Sequence, residues 1–271
     1  MKIDVCNVSK IFPRFDGGEN IVLDNISFSV NSGDFVVILG ESGGGKTTLL
    51  NLLAGLEKPT SGEIFVDGNK VNRIEPSRSM LFQQPVLIPW LTVKDNVAYG
   101  CRLRGDIENL DYRVYQFIEM MGLSGFENAK PASLSLGMAQ RVCLARALVG
   151  RAEMLLLDEP FASLDTFTQA HIQEELVNIW LSEKFTAVFV THDINEAILL
   201  GNKIILLGGY PGSVSGMYDI DDPYPRNINF PSFKEYRSEI LANLKQAHVG
   251  NKKFFSMNKI DNMDEEIKLD E

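Results

Sequence analysis

Nine residues, "GESGGGKTT" at 40–48, constrain this chain more than any other stretch. They follow the apolar run "FVVIL" and open onto "KTTLLNLLAG", so a glycine-rich loop stands between an expected strand and an expected helix. The spacing fits G-x-x-x-x-G-K-[ST] with Gly40, Gly45, Lys46 and Thr47. Glycines let such a loop wrap closely round phosphate oxygens and turn its N–H groups inward. Lys46 offers a point charge to the β- and γ-phosphates, Thr47 offers a hydroxyl to Mg²⁺, and the helix start adds its dipole. Glu41, Ser42, Gly43, Gly44 and Thr48 complete the loop. The competing reading is a flexible glycine turn before an ordinary helix; the strand in front and the helix behind weigh against it.

The rest of the pattern supplies a setting for that loop. Short apolar runs recur at 35–39, 64–66, 154–157, 186–191 and 203–207, and several read as strands buried on both faces. Helix-like stretches lie at 46–54, 112–121, 137–149 and 166–183. The alternation predicts an α/β fold with a mainly parallel sheet. Residues 2–8 and 21–30 alternate more regularly and read as an antiparallel β addition. Between about 85 and 150 helical patterns dominate, which reads as a helical insertion. The expected organisation is an α/β core with its β addition at 1–84 and 151–222, a helical subdomain at 85–150, and a C-terminal helix with a charged, flexible tail at 223–271.

The chain carries 26 basic and 36 acidic residues, a formal net charge of −10. A general nucleic-acid binder needs a positive footprint, so that class is disfavoured. Cys6, Cys101 and Cys143 are far apart and lack metal-type spacing, which reads as free, buried thiols in a reducing compartment. No run approaches the roughly 18 apolar residues of a membrane span, and "MKIDVCNVSKIF" is no secretory signal. The expectation is a cytoplasmic protein that serves a membrane, if at all, from one side.

Two more apolar runs end in chemistry. "MLLLDEP" ends in Asp158-Glu159: one carboxylate suits Mg²⁺ and its neighbour suits the attacking water. Alone, two acids at a solvated strand end would be the plainer reading. "VFVTHD" places His192 after another apolar run, within reach of a γ-phosphate if the strands are neighbours; a lone histidine there is more often structural.

With these residues in order, the chain resembles the ATPase subunits of ATP-binding cassette transporters over about residues 2–215. "GESGGGKTT" looks like the Walker A loop, "LLLDEP" like Walker B and His192 like the switch histidine. Gln83 in "MLFQQP" looks like the Q-loop glutamine, which joins the magnesium site. Phe12 resembles the aromatic that stacks on adenine, and "SLD" (163–165), ending in Asp165, resembles the D-loop. "LSLGMAQR" resembles the signature usually written LSGGQ, with Ser135 and Gly137 retained, Leu136 where the pattern has glycine and Met138 where it has glutamine.

The resemblance implies the cassette ATPase fold, with ATP and Mg²⁺ bound and ATP hydrolysed. It implies two copies meeting head to tail, so that Ser135 and Gly137 of one complete the site held by Lys46 of the other. "LIPWLTVKDNV", "SLDTFTQAHIQEELVNIW", "THDINEAILL" and "GGYPGSV" are similar to the nitrate/sulfonate/taurine importer branch. That branch implies a membrane permease as partner, fed by an extracytoplasmic solute-binding protein, with this chain peripheral on the cytoplasmic face. An apolar edge of Leu87, Ile88 and Trp90 suits a protein groove; Trp90 as ordinary core is an equal reading. The alternatives in other classes are a soluble cassette ATPase and a non-hydrolysing nucleotide sensor.

Overall fold

The computed structural model describes residues 1–14 and 17–245. The chain opens with two long antiparallel strands, β1 (Ile3–Pro13) and β2 (Glu19–Val30). Alternation turns Ile3, Val5 and Val8 of β1, and Leu23, Ile26, Phe28 and Val30 of β2, to one buried face. The alternation slips once on each strand, at Asn7 and Asn25, where the register shifts. Both asparagines take a left-handed backbone, φ 50° and 49°, which this residue tolerates better than most. The amide of Asn7 donates to Asn25 Oδ1 at 2.8 Å and locks the two irregular positions together.

β3 (Phe35–Gly40) leaves this ladder for a second sheet, and all six of its residues are buried. The glycine loop follows, then α1 (Lys46–Ala54). β4 (Ser61–Val66) and β5 (Asn69–Lys70) return to the first sheet, giving the order β2-β1-β4-β5. The apolar run at 64–66 therefore is not a strand of the parallel sheet: Val5 pairs with Ile64 and Ile3 with Val66, antiparallel. Phe65 stays half-buried on the opposite face.

β6 (Arg78–Leu81) opens the second half, followed by three helices: α2 (Val93–Arg104), α3 (Leu110–Met120) and α4 (Leu136–Val149). Thr92 caps α2 by accepting from the N–H of Asp95 at 3.2 Å, and Gly105 closes it at φ 72°. Next come β7 (Met154–Asp158), α5 (Thr166–Glu183), β8 (Thr186–Thr191), α6 (Ile194–Leu200), β9 (Lys203–Gly208) and β10 (Ser213–Asp219). A final helix, α7, runs from 231 to the last described residue, 245. The tail expected to be flexible from about residue 250 lies outside the described residues.

The second sheet has the order β10-β9-β3-β8-β7-β6; the five strands from β9 to β6 run parallel and β10 is an antiparallel edge. Two apolar cores follow from the alternation along β3. Val36 and Ile38 face α1, whose Leu49, Leu50, Leu52 and Leu53 fill the space between the two sheets. Phe35, Val37 and Leu39 face the other way, onto the helices of the second half. The helix that carries the glycine loop at its start is thus enclosed by both sheets. Cys101 and Cys143 are buried free thiols as expected, but Cys6 is exposed, because the alternation that buries Ile3 and Val5 turns it to the outer face.

Candidate functional site

Sheet order decides which loops can meet. β3, β8 and β7 are parallel neighbours, with Leu39 opposite Thr191 and Asp158 opposite Val190. Their C-terminal ends lie on one edge, so the glycine loop, the Asp158-Glu159 pair and His192 emerge side by side. β6 joins the same edge and delivers Gln83 two residues beyond its end. Open parallel sheets take their ligands at this edge.

The loop begins at Gly40, the last residue of β3, and holds its shape by local bonds. The N–H of Gly44 donates to the carbonyl of Glu41 at 3.2 Å, and Lys46 Nζ donates to the same carbonyl at 2.8 Å. Gly45, the residue before α1, lies at φ 84°, against the Leu23 side chain and the Val22 carbonyl. The loop is braced from behind as well. The N–H of Gly212 donates to the Val22 carbonyl, its own carbonyl accepts from Asp24, and a side chain at 212 would stand 2.3 Å from the Gly44 carbonyl.

A cleft of about 240 Å³ opens over the loop, lined by Ser42, Gly43, Gly45, Lys46, Thr47 and Thr48 together with Val22, Gln83 and Glu159. Lys46 is buried, and its ammonium lies 3.8 Å from Glu159 Oε1. Burial pushes its pKa down, opposed by the neighbouring charges of Glu159, Asp158 and Glu41. Asp158 is buried at the end of β7, and its Oδ1 accepts from the Thr47 hydroxyl at 3.2 Å. Burial raises the Asp158 pKa, with the Thr47 bond working against it. Glu159 adopts a left-handed backbone, φ 43°, and its N–H donates to the Val190 carbonyl at 3.0 Å. Its second carboxylate oxygen lies 3.4 Å from His192 Nδ1.

Three other expected residues stand apart from this cleft. Ser135 caps α4, its hydroxyl accepting from the N–H of Met138 at 3.2 Å. Gly137 lies close to the D-loop-like turn, where an added Cβ would be 3.1 Å from the Ser163 carbonyl. Asp165 caps α5, accepting from Thr168 at 3.0 Å. None of these three lines the cleft, and neither does Phe12, whose ring lies under the Lys10 ammonium at 4.6 Å. Leu136 is 64% exposed, so its side chain displaces nothing within the chain.

Of the apolar edge, Trp90 is exposed, whereas Leu87 packs partly onto the core and Ile88 exchanges backbone bonds with the Asn96 amide; Val86, outside the expected edge, is exposed as well. Val22 and Gly212 were not foreseen at the site. Both reach it by chain crossings that the sequence does not display.

Residues 23–162 match the family model described as ABC transporter. The chain is 43% identical over 241 residues to the aliphatic sulfonates import ATP-binding protein SsuB of Bacillus cereus, covering 89% of this chain and 95% of that one. It is 40% identical over 252 residues to the bicarbonate transport ATP-binding protein CmpC of Synechocystis, covering 90% of this chain and 38% of that longer protein. A solved dimer of the ATP-binding cassette MJ0796 in a post-hydrolysis state, bound to ADP and Pi, superposes with a TM-score of 0.74 at 33% identity, over 82% of this chain and all of that one. Similarity of this extent and a shared phosphate-loop architecture lead to one conclusion: the chain belongs to the ABC transporter family, as one of its ATP-binding cassettes.

Proposed function

We propose that this chain is the ATP-hydrolysing subunit of an importer for a small solute of the nitrate, sulfonate or taurine type. One observation carries the reading: Lys46, Thr47, Gln83, Asp158, Glu159 and His192 converge on a single sheet edge. The names of the relatives support the importer role, since both of those described above are import or transport ATP-binding proteins.

In this reading the loop N–H groups and Lys46 bind the β- and γ-phosphates. Thr47, Gln83 and Asp158 fit Mg²⁺. They offer hard oxygen donors, and Thr47 and Asp158 already stand within a hydrogen bond of each other. Bound there, Mg²⁺ would neutralise phosphate charge. Glu159 accepts the proton of the water that attacks the γ-phosphorus as the bond to ADP breaks. His192 holds the γ-phosphate from the next strand.

The separation of Ser135, Gly137 and Asp165 from the cleft suits a site completed across two copies. A second identical chain brings its capped α4 start to the phosphates. The helical subdomain at 85–150 then carries closure to the permease, with exposed Trp90 and Val86 in the contact surface. Among the described residues no helix is long and apolar enough to cross a membrane. In this reading the chain joins its permease peripherally, from the cytoplasmic face. An extracytoplasmic binding protein delivers the solute.

The test is a crosslink between Ser135→Cys of one copy and Gly43→Cys of another, formed with nucleotide and magnesium. Failure to crosslink while single chains hydrolyse ATP would end this reading.

A further inference from the structure

Next to the hydrolysis site lies a second buried carboxylate that no step above uses. Glu196 sits in the first turn of α6 and is 8% exposed. Its Oε2 accepts from the Thr191 hydroxyl, and the oxygen of that same hydroxyl accepts from the N–H of Asp193 at 3.0 Å. Thr191 and Asp193 flank His192. The other oxygen, Oε1, accepts from Gln169 at 2.7 Å and from Gln173 at 3.2 Å. Both glutamines belong to the first half of α5, the helix capped by Asp165. Glu159, Gln169, Thr191, His192 and Glu196 line one cavity of about 210 Å³.

Simple packing does not ask for a carboxylate here. Burying one is costly unless donors converge on it, and an apolar side chain would fill the space without that cost. What the carboxylate adds is geometry. The His192 side chain is 60% exposed, so burial does not fix it; the turn that carries it must.

We propose that Glu196 is a positioning residue for ATP hydrolysis: through Thr191 it sets the backbone on both sides of His192, and through Gln169 and Gln173 it ties that turn to the start of α5. This rests on the role given to His192 above. It means that movement of the Asp165 turn, at the expected interface between copies, is felt at His192 through three hydrogen-bonded side chains.

The experiment is steady-state ATP hydrolysis and equilibrium ATP binding by the full chain assembled with its permease. Glu196→Ala lowers kcat roughly 10–100-fold, the scale of a slightly misplaced reacting group, and leaves ATP affinity unchanged. Glu196→Gln recovers most of the loss, because its carbonyl accepts from Thr191 and the facing glutamine amides can turn to receive its NH₂. Thr191→Val reproduces the kcat loss and carries the test if the alanine variant does not fold. Equal loss in Glu196→Ala and Glu196→Gln would make charge the agent and overturn the proposal, as would wild-type kcat in Glu196→Ala. If His192→Ala is slow while Glu196→Ala is not, this inference alone falls. If His192→Ala itself turns over normally, the functional reading falls and takes the inference with it.

Discussion

Two glycines of the phosphate loop share a backbone conformation and differ in what surrounds them, which makes a matched experiment. Gly43 lies at φ 83° and Gly45 at φ 84°. Alanine in the left-handed region costs about 1–2 kcal/mol at either position. A Cβ on Gly43 meets nothing within 4 Å, so Gly43→Ala should lose that amount and no more. On Gly45 the new atom stands 2.5 Å from Leu23 Cδ2 and 3.1 Å from the Val22 carbonyl. Leu23 is fully buried in the core between the sheets and cannot swing outward. Overpacking of that kind adds about 1–3 kcal/mol, which brings Gly45→Ala to roughly 2–5 kcal/mol. Urea unfolding followed by circular dichroism reads the difference; with a slope of about 1–3 kcal/mol per molar, the midpoints of the two variants should part by on the order of 1 M. Equal midpoints, or a greater loss in Gly43→Ala, would refute the contact between the loop and β2 on which the argument depends.

Further expectations follow from the site. Lys46→Ala removes charge-assisted bonds to phosphate worth about 1.5–3 kcal/mol, so ATP affinity by titration should fall roughly 10–150-fold. Glu159→Gln should lower kcat about 10²–10⁴-fold while ATP still binds, measured by phosphate release and nucleotide titration. Asp158→Asn should stabilise the nucleotide-free protein at neutral pH. Burial raises the folded-state pKa of Asp158, so folding is favoured below its unfolded value and that contribution is lost as pH rises through the folded one; the advantage of asparagine in thermal melts should shrink as pH is lowered. Leu136→Gly should leave ATP turnover equal to or above the parent, because the leucine is 64% exposed and holds nothing in place; a large loss would give the leucine a contact on the partner.

What could be read in advance was chemistry written in consecutive residues. The loop at 40–48, the acids after β7 and His192 after β8 each announce themselves within a few positions, and strand adjacency does the rest. Elements made by their neighbours stayed hidden. β6 is four residues, three of them only half-buried, and becomes a strand because β7 offers it a parallel edge. α2 contains Gly100 and a polar first turn; it is fixed by its caps and by Val93, Val97 and Cys101 entering the core. α6 spans seven residues, too few for a period to show. The apolar run of β4 is a strand, but its sheet is not legible in it, because pairing partners, not the run itself, choose the sheet. Glu196 was silent for a related reason, since two of its donors come from α5, 23 and 27 residues upstream.

Gly212 stands immediately behind the phosphate loop, its backbone bonded to Val22 and Asp24 and too near Gly44 to admit a side chain. With Leu23 beneath and that rear wall in place, the mould for the phosphates is cast when the chain folds. Nucleotide therefore meets a phosphate loop that is already braced, and bracing of this kind lowers the ordering cost charged against its affinity. The wall is made of backbone from two distant parts of the chain, so the shape of the loop is held by the fold itself and not by the loop's own sequence.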